Sequence, residues 1–193
     1  LQALSYEKQL EFKADKVRGH LERIGGFANL PMEPIIGMKD PFHYRNKAQF
    51  PVGRNRDGKI VTGFYAGRTH SIIENRDCVL GVPQNREILD RVIDYMETYD
   101  ISPYDEVTGK GLIRHIFTRY GYHTGEIMVC IVANGSRLPH QQELVKALRE
   151  IPGMTSITLN INKNRNNVIL GEKIQVLWGQ EYITDKIGDI SYQ

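Results

Sequence analysis

The residues of this chain that could do chemistry are mostly cations, and they are bunched. Phe42-His43-Tyr44-Arg45-Asn46-Lys47-Ala48-Gln49-Phe50 is followed by Gly63-Phe64-Tyr65-Ala66-Gly67-Arg68 and then by Asp77-Cys78. Between Pro41 and Asn75 lie six Lys/Arg (Arg45, Lys47, Arg54, Arg56, Lys59, Arg68) against two acids (Asp57, Glu74), with His43 and His70 besides. Side chains of an extended strand alternate, so Tyr44, Asn46, Ala48 and Phe50 share one face and Arg45, Lys47 and Gln49 the other. One face can enter a core while the other offers long donors to an anion. Interleaved Phe42, Tyr44, Phe64 and Tyr65 suit a nucleic acid, with phosphates on cations and bases on rings. A second set, Arg114, His115, Arg119 and Tyr120, falls on another predicted strand. The competing reading is plain: Lys and Arg along an exposed strand often only solubilise an edge. The residues by themselves leave both readings open.

Other chemistry finds no support in the spacing. A phosphate-binding loop needs glycines at fixed offsets between a strand and a helix, and neither G-x-G-x-x-G nor G-x-x-x-x-G-K occurs in that context. H-E-x-x-H, paired C-x-x-C and G-x-S-x-G are missing as well. Asp94, Glu97 and Asp100 read as a solvated helix surface. Cys130 sits in the apolar run Ile127–Val132 and reads as a small buried hydrophobe. Cys78 follows Arg76-Asp77, and a single thiol is by itself no metal site. The histidines show no ligand spacing. No catalytic residue is assigned.

The elements that must carry these residues follow from periodicity and punctuation. Ser5 can cap a helix to about Ile24, with Tyr6, Leu10, Ala14, Val17, Leu21 and Ile24 as an apolar stripe, ended by Gly25-Gly26. Residues 29–39, with Pro31, Pro34 and Gly37, read as extended linker. Strands are predicted near 43–52 and 59–65, joined through Asp57-Gly58, and a short one near 71–74. Asn85 is expected to cap a second helix to about Tyr99, buried through Ile88, Leu89, Val92, Ile93 and Met96. Strands near 112–120 and 126–133 precede a third helix from Pro139, with Leu144, Val145, Leu148 and Ile151 inward. Strands near 155–161, 167–170, 173–178, 182–184 and 188–192 complete the order, with Trp178 in the core or at the sheet edge. Hairpin connections dominate, so the expected fold is α+β: a mostly antiparallel sheet with two helices packed on it plus an N-terminal helix. The expected division is 1–40, helix and linker, and 41–193, a central α+β domain.

Bulk properties set the background. The chain has 193 residues, 40% apolar and 25% charged, with a net charge of +2. That balance is too mild to imply a polyanion, so placement of charge must carry the claim. Two cysteines and no secretory signal suit a reducing cytoplasm. No run approaches the roughly 20 apolar residues that span a membrane. The start at Leu1 and the strand-like ending read as an excised piece of a longer polypeptide.

Tyr44-Arg45-Asn46-Lys47-Ala48-Gln49, Gly63-Phe64-Tyr65, Asp77-Cys78, Gly111-Leu112-Ile113-Arg114-His115, Asn160-Ile161-Asn162 and Val168-Ile169-Leu170-Gly171 carry a resemblance in order and spacing along essentially the whole chain. It resembles the middle of the TrmA/RumA family of uracil-C5 RNA methyltransferases, closer to the RumA-like 23S ribosomal RNA branch. The resemblance implies a full-length parent enzyme with a TRAM domain and three closely spaced cysteines before this region and an S-adenosylmethionine-binding domain after it. Those domains are absent from this segment, which would be catalytically inert alone. Cys78 matches the fourth ligand of the parent's [4Fe–4S] cluster, a cluster this segment could not form. No cofactor is expected here; S-adenosylmethionine and the cluster belong to the parent. Arg45 and Lys47 match the family's basic strand and become the leading RNA contacts, while Arg54, Arg56, Arg68 and His70 rest on charge alone. The implied partner is ribosomal RNA, with no membrane and a monomeric parent in the cytoplasm. Two alternatives stay open: a stand-alone RNA-binding module, and a protein-interaction domain whose basic strand is merely solvated.

Overall fold

A computed structural model describes residues 1, 3–67, 69 and 71–193, and it divides the chain into two units, Leu1–Phe42 and His43–Gln193. In the first unit, α1 runs Tyr6–Arg23, and the Lys8 N–H donates to the Ser5 hydroxyl at 3.4 Å. The helix ends as its glycine pair predicts. Gly26 takes φ +71°, and the N–H groups of Gly25 and Phe27 turn back to the His20 and Leu21 carbonyls. The linker then doubles back: the Met38 N–H donates to the Tyr6 hydroxyl at 2.7 Å. None of the helix is fully buried, and Val17 and Ile24 of the apolar stripe stand exposed.

The second unit is built on a seven-stranded sheet. Its strands are β1 (Lys47–Arg54), β2 (Ile60–Tyr65), β3 (Ile72–Glu74), β4 (Ile113–Tyr120), β5 (Ile127–Ala133), β6 (Met154–Ile161) and β7 (Lys173–Gly179). The spatial order is β3-β2-β1-β4-β5-β6-β7, antiparallel throughout except for β5 and β6. That one parallel pair needs a crossover, and α3 (Gln141–Arg149) supplies it. α2 (Gln84–Thr98) lies beside α3, and both bury their apolar faces on the same side of the sheet. Ile88, Leu89, Val92, Ile93 and Met96 of α2 and Leu144 and Leu148 of α3, each at most 1% exposed, meet Phe50, Ile116, Val129, Ile131, Ile157 and Leu159. This is the α+β fold expected from the sequence.

Pro51 sits inside β1, where a proline should break a ladder. The strand uses it as a switch point: Lys47–Pro51 pair with β4, and Val52–Arg54 pair with β2. Gly63 explains its own place in the motif. A Cβ there would lie 2.1 Å from the Ile73 carbonyl oxygen, so β2 and β3 close only over glycine.

Three expectations need correction. Asn85 does not cap α2, which starts at Gln84 after Pro83; it is 5% exposed, and its side-chain oxygen accepts from the Thr118 hydroxyl at 2.8 Å. Residues 167–170 form no strand. The buried Asn162 amide donates to the Val168 and Ile169 carbonyls at 2.7 and 2.9 Å, and Asn160 exchanges two bonds with Gly171, so side chains replace a ladder. The last pair is β8 (Asp185–Ile187) and β9 (Ile190–Tyr192), a tight hairpin three residues later than predicted for its first strand. Alternating apolar residues in 182–192 gave no cue to where the turn falls.

Candidate nucleic-acid interface

β1 enters the sheet along a backbone rail. The N–H groups of His43 and Arg45 donate to the Val79 and Leu80 carbonyls, each at 2.9 Å, and His43 Nδ1 meets the Gly81 carbonyl at 2.7 Å. The pleat then sends Ala48 and Phe50 toward the helices and Lys47 and Gln49 to the opposite face, as the alternation predicts. On that face Lys47 stands directly opposite Arg119, and Gln49 opposite Phe117. Lys47 Nζ lies 5.8 Å and Arg119 Cζ 5.3 Å from the Phe117 ring centre, so the two cations share one aromatic ring.

Like charges facing each other across antiparallel strands destabilise a sheet. Among the described residues neither cation has a carboxylate within ion-pair distance, although ion pairs are made elsewhere, as between Arg91 and Glu87 or Arg76 and Asp90. Arg45, also exposed, has none either. The sheet therefore holds uncompensated positive charge where an anion would relieve it. Neighbouring rows on the same face, Phe117–Cys130–Thr158 and Arg119–Met128–Ser156, continue it across the sheet without further charge.

The other expected contacts are distributed differently. Arg54 closes β1 and donates to the Gly58 carbonyl at 2.6 Å, stiffening the hairpin; Arg56 is exposed in its turn. At ~3.3 Å per residue, Arg54 lies about 23 Å along the strand from Lys47. Arg54 and Arg56 line a cleft of about 500 Å³ with Tyr65 and Tyr104, but Asp105 and Glu106 share it. Burial, with Glu106 beside it, pushes the Tyr65 phenol up to about 12. Arg68 and His70 lie outside the described residues.

The second cationic set separates into two. Arg114 is 5% exposed, its guanidinium donates to the Asn162 and Asn164 carbonyls at 3.0 and 2.7 Å, and it stacks on Tyr104 at 4.4 Å. His115 is 6% exposed, and burial, reinforced by Arg114, drives its pKa down to about 4, so it is neutral at pH 7. Buried as they are, neither presents open positive charge as Lys47 and Arg119 do. Arg114 falls at a register shift in β4 between Ile113 and His115, and such a bulge is invisible to simple alternation. His115 lies past it on the face of Phe117 and Arg119 and packs edge-on to Tyr65 at 6.4 Å. Arg119, past the bulge, remains exposed and belongs with Lys47. Sequence reasoning placed these two on strands but missed that the strands pair, and it missed Phe117 beneath them.

Cys78 is half-buried in a pocket of about 280 Å³ with Arg45, Lys47, Gln49 and Gly81. Cys130 is enclosed in β5, where burial pushes its thiol up, as an inert structural cysteine requires. Among the described residues no three His, Cys, Asp or Glu side chains come together to hold a metal ion. A four-iron cluster needs several converging thiolates, so the residues of this chain do not by themselves fit one. No described helix is long and apolar enough to cross a membrane.

No protein-family model matches the chain. An uncharacterized RNA methyltransferase of Halalkalibacterium halodurans is 44% identical over 193 residues, all of this chain and 42% of that protein. Uncharacterized RNA methyltransferases of Bacillus cereus and Clostridium tetani are 42% and 40% identical with the same coverage. In structure the chain resembles the tRNA (uracil-54, C5)-methyltransferase of Pyrococcus abyssi, solved with S-adenosyl-L-homocysteine. The TM-score is 0.76 at 27% identity, over 100% of this chain and 43% of that one. The chain spans about two fifths of the length of the relatives it matches, and along its whole length it is homologous to a segment of proteins named RNA methyltransferases.

Proposed function

We propose that this chain is the RNA-holding segment of an S-adenosylmethionine-dependent uracil-C5 RNA methyltransferase acting on ribosomal RNA in the cytoplasm. The observation that carries the reading is the facing pair Lys47 and Arg119, two cations held opposite each other on one sheet face without a carboxylate. With Arg45 they would bind the RNA backbone, while methyl transfer would be done by parts of the parent protein outside these residues. Phosphate contacts position an RNA without reading its sequence, so the role assigned here is orientation. Cys78 would add one thiolate to an iron–sulfur cluster whose other ligands come from outside the chain. A transfer RNA substrate is the second reading, favoured by the activity named for the Pyrococcus protein.

Titration of the chain with ribosomal RNA fragments and with tRNA, at several salt concentrations, tests this. Each cation removed from a phosphate lowers the salt slope by a little under one. Arg45→Ala combined with Lys47→Ala is expected to weaken binding at least tenfold and flatten the slope by one to two. Unchanged affinity and slope in that double variant would remove the reading. Tighter binding to tRNA than to ribosomal RNA would move the substrate to the second reading.

A further inference from the structure

We infer that the end of the sheet beside the C-terminal hairpin is a pocket for one unstacked nucleotide of single-stranded RNA, its phosphate on Lys47 and Arg119 and its base against Tyr182 and Tyr192. The inference rests on the RNA-binding reading above and adds a base-binding site to it.

A cavity of about 360 Å³ opens here, lined by Lys47, Arg119, Tyr120, Met128, Tyr182 and Tyr192 among others. That volume lies in the range of small-ligand sites, roughly 300–1,000 Å³. The floor is sheet and the wall is the β8–β9 hairpin, which is fastened from several sides. Asp185 accepts from the N–H groups of Tyr122 and His123, both at 2.9 Å, and from the Tyr192 hydroxyl at 3.2 Å. The Thr184 N–H donates to Glu126 at 2.7 Å, and its carbonyl accepts from the Thr124 hydroxyl at 2.6 Å. A Cβ on Gly121 would come within 3.0 Å of that carbonyl, so the turn and the hairpin approach as closely as glycine allows.

The chemistry of the lining selects the ligand. Two cations without carboxylate partners attract phosphate, and exposed aromatic rings stack on any base. The Asp185 carboxylate also lines the cavity, but its two oxygens already take three donors that hold the hairpin. The larger cleft at the far end of β1 is less suited to an anion, because Asp105 and Glu106 line it beside Arg54 and Arg56. At the hairpin end two cations and three tyrosine rings come together, and the one carboxylate beside them is already engaged.

The test uses the whole chain, fluorescein-labelled decauridylate, and the same oligomer with abasic sites throughout, followed by fluorescence anisotropy across a salt series. Tyr182→Ala is expected to weaken decauridylate binding at least fivefold without changing the salt slope, while Tyr182→Phe binds like the original chain. The abasic oligomer is expected to bind the chain and Tyr182→Ala alike. Arg119→Ala is expected to weaken both oligomers and lower the slope by about 0.7. Tyr182→Leu, which keeps bulk but no ring, should behave like Tyr182→Ala if both retain the far-ultraviolet circular dichroism of the original. If Tyr182→Ala and Tyr182→Leu bind decauridylate normally while Arg45→Ala with Lys47→Ala still weakens it, the pocket is refuted and RNA holding stands. If the unaltered chain shows no salt-sensitive binding, both fall.

Discussion

Arg114 and Arg119 are five residues apart on one strand, and their fates are opposite. Arg114 is enclosed, its guanidinium spent on two backbone carbonyls and a tyrosine face. Arg119 stands exposed opposite a lysine, its guanidinium over the Phe117 ring. The first cation works as a structural clamp on the loop after β6. The second is charge held in readiness, and the sheet tolerates it at some cost. Residue type says little about a cation's job; the partners that the tertiary structure brings to it decide.

The largest effect is expected from Arg114→Ala. That change strands the Asn162 and Asn164 carbonyls in a buried site and uncovers Tyr104, so a loss of about 2–4 kcal/mol is expected in urea unfolding. Arg119→Ala should stay within about 0.5 kcal/mol of the original chain in the same measurement, as an exposed substitution does. Equal losses would mean that the two ends of β4 do not differ in kind.

The next effect is a pH dependence at the buried end. The folded pKa of His115 is depressed to about 4 from an ordinary 6.5, so between those values the unfolded chain binds a proton that the folded one refuses. Stability is then full above about pH 6.5 and falls as pH drops toward 4, by roughly 2–4 kcal/mol in all. His115→Gln should flatten this stretch of the stability–pH curve while leaving the steeper acid loss below it. That lower loss includes Asp185, whose carboxyl is held below its usual range: burial raises it, but the N–H groups of His123, Lys186 and Tyr122 lower it more. A curve with the same slope in the Gln variant from pH 6.5 to 4 would show that His115 is not the buried group.

The smallest expected effect sharpens the open end. Arg119→Glu turns a facing like-charge pair into an opposite-charge one, for a gain of about 0.2–1 kcal/mol. The same variant should bind RNA more weakly than Arg119→Ala, because the pocket would then repel phosphate. Stability rising while RNA affinity falls is the signature of charge kept for a ligand; a fall in both would mark Arg119 as structural.

Much of the architecture was legible from pattern alone. The apolar stripes of α2 and α3 name the buried residues correctly, because helical periodicity and burial report the same face. The alternation of β1 likewise put Lys47 away from the core. What misled was local chemistry whose partner is remote. Asn85 looks like a cap because it precedes an apolar helix, yet its side chain is claimed by Thr118, 33 residues away. Val168-Ile169-Leu170 looks like a strand because it is apolar and β-branched, yet Asn160 and Asn162 tie up the backbone there. Arg114 looks like a phosphate ligand because the bulge that buries it leaves no trace in residue order.

By itself the sequence determined the α+β class, the faces of two helices, the first helix's cap and glycine stop, and the concentration of cations near β1. These follow from interactions within a few residues, where periodicity, capping and turn chemistry act directly. Only the tertiary structure decided which cations remain available. Availability depends on strand register, on the switch of β1 from one partner to another at Pro51, and on a hairpin more than 60 residues further along the chain. Such long-range pairings set burial and desolvation, and desolvation determines whether a charged side chain serves the fold or waits for a ligand.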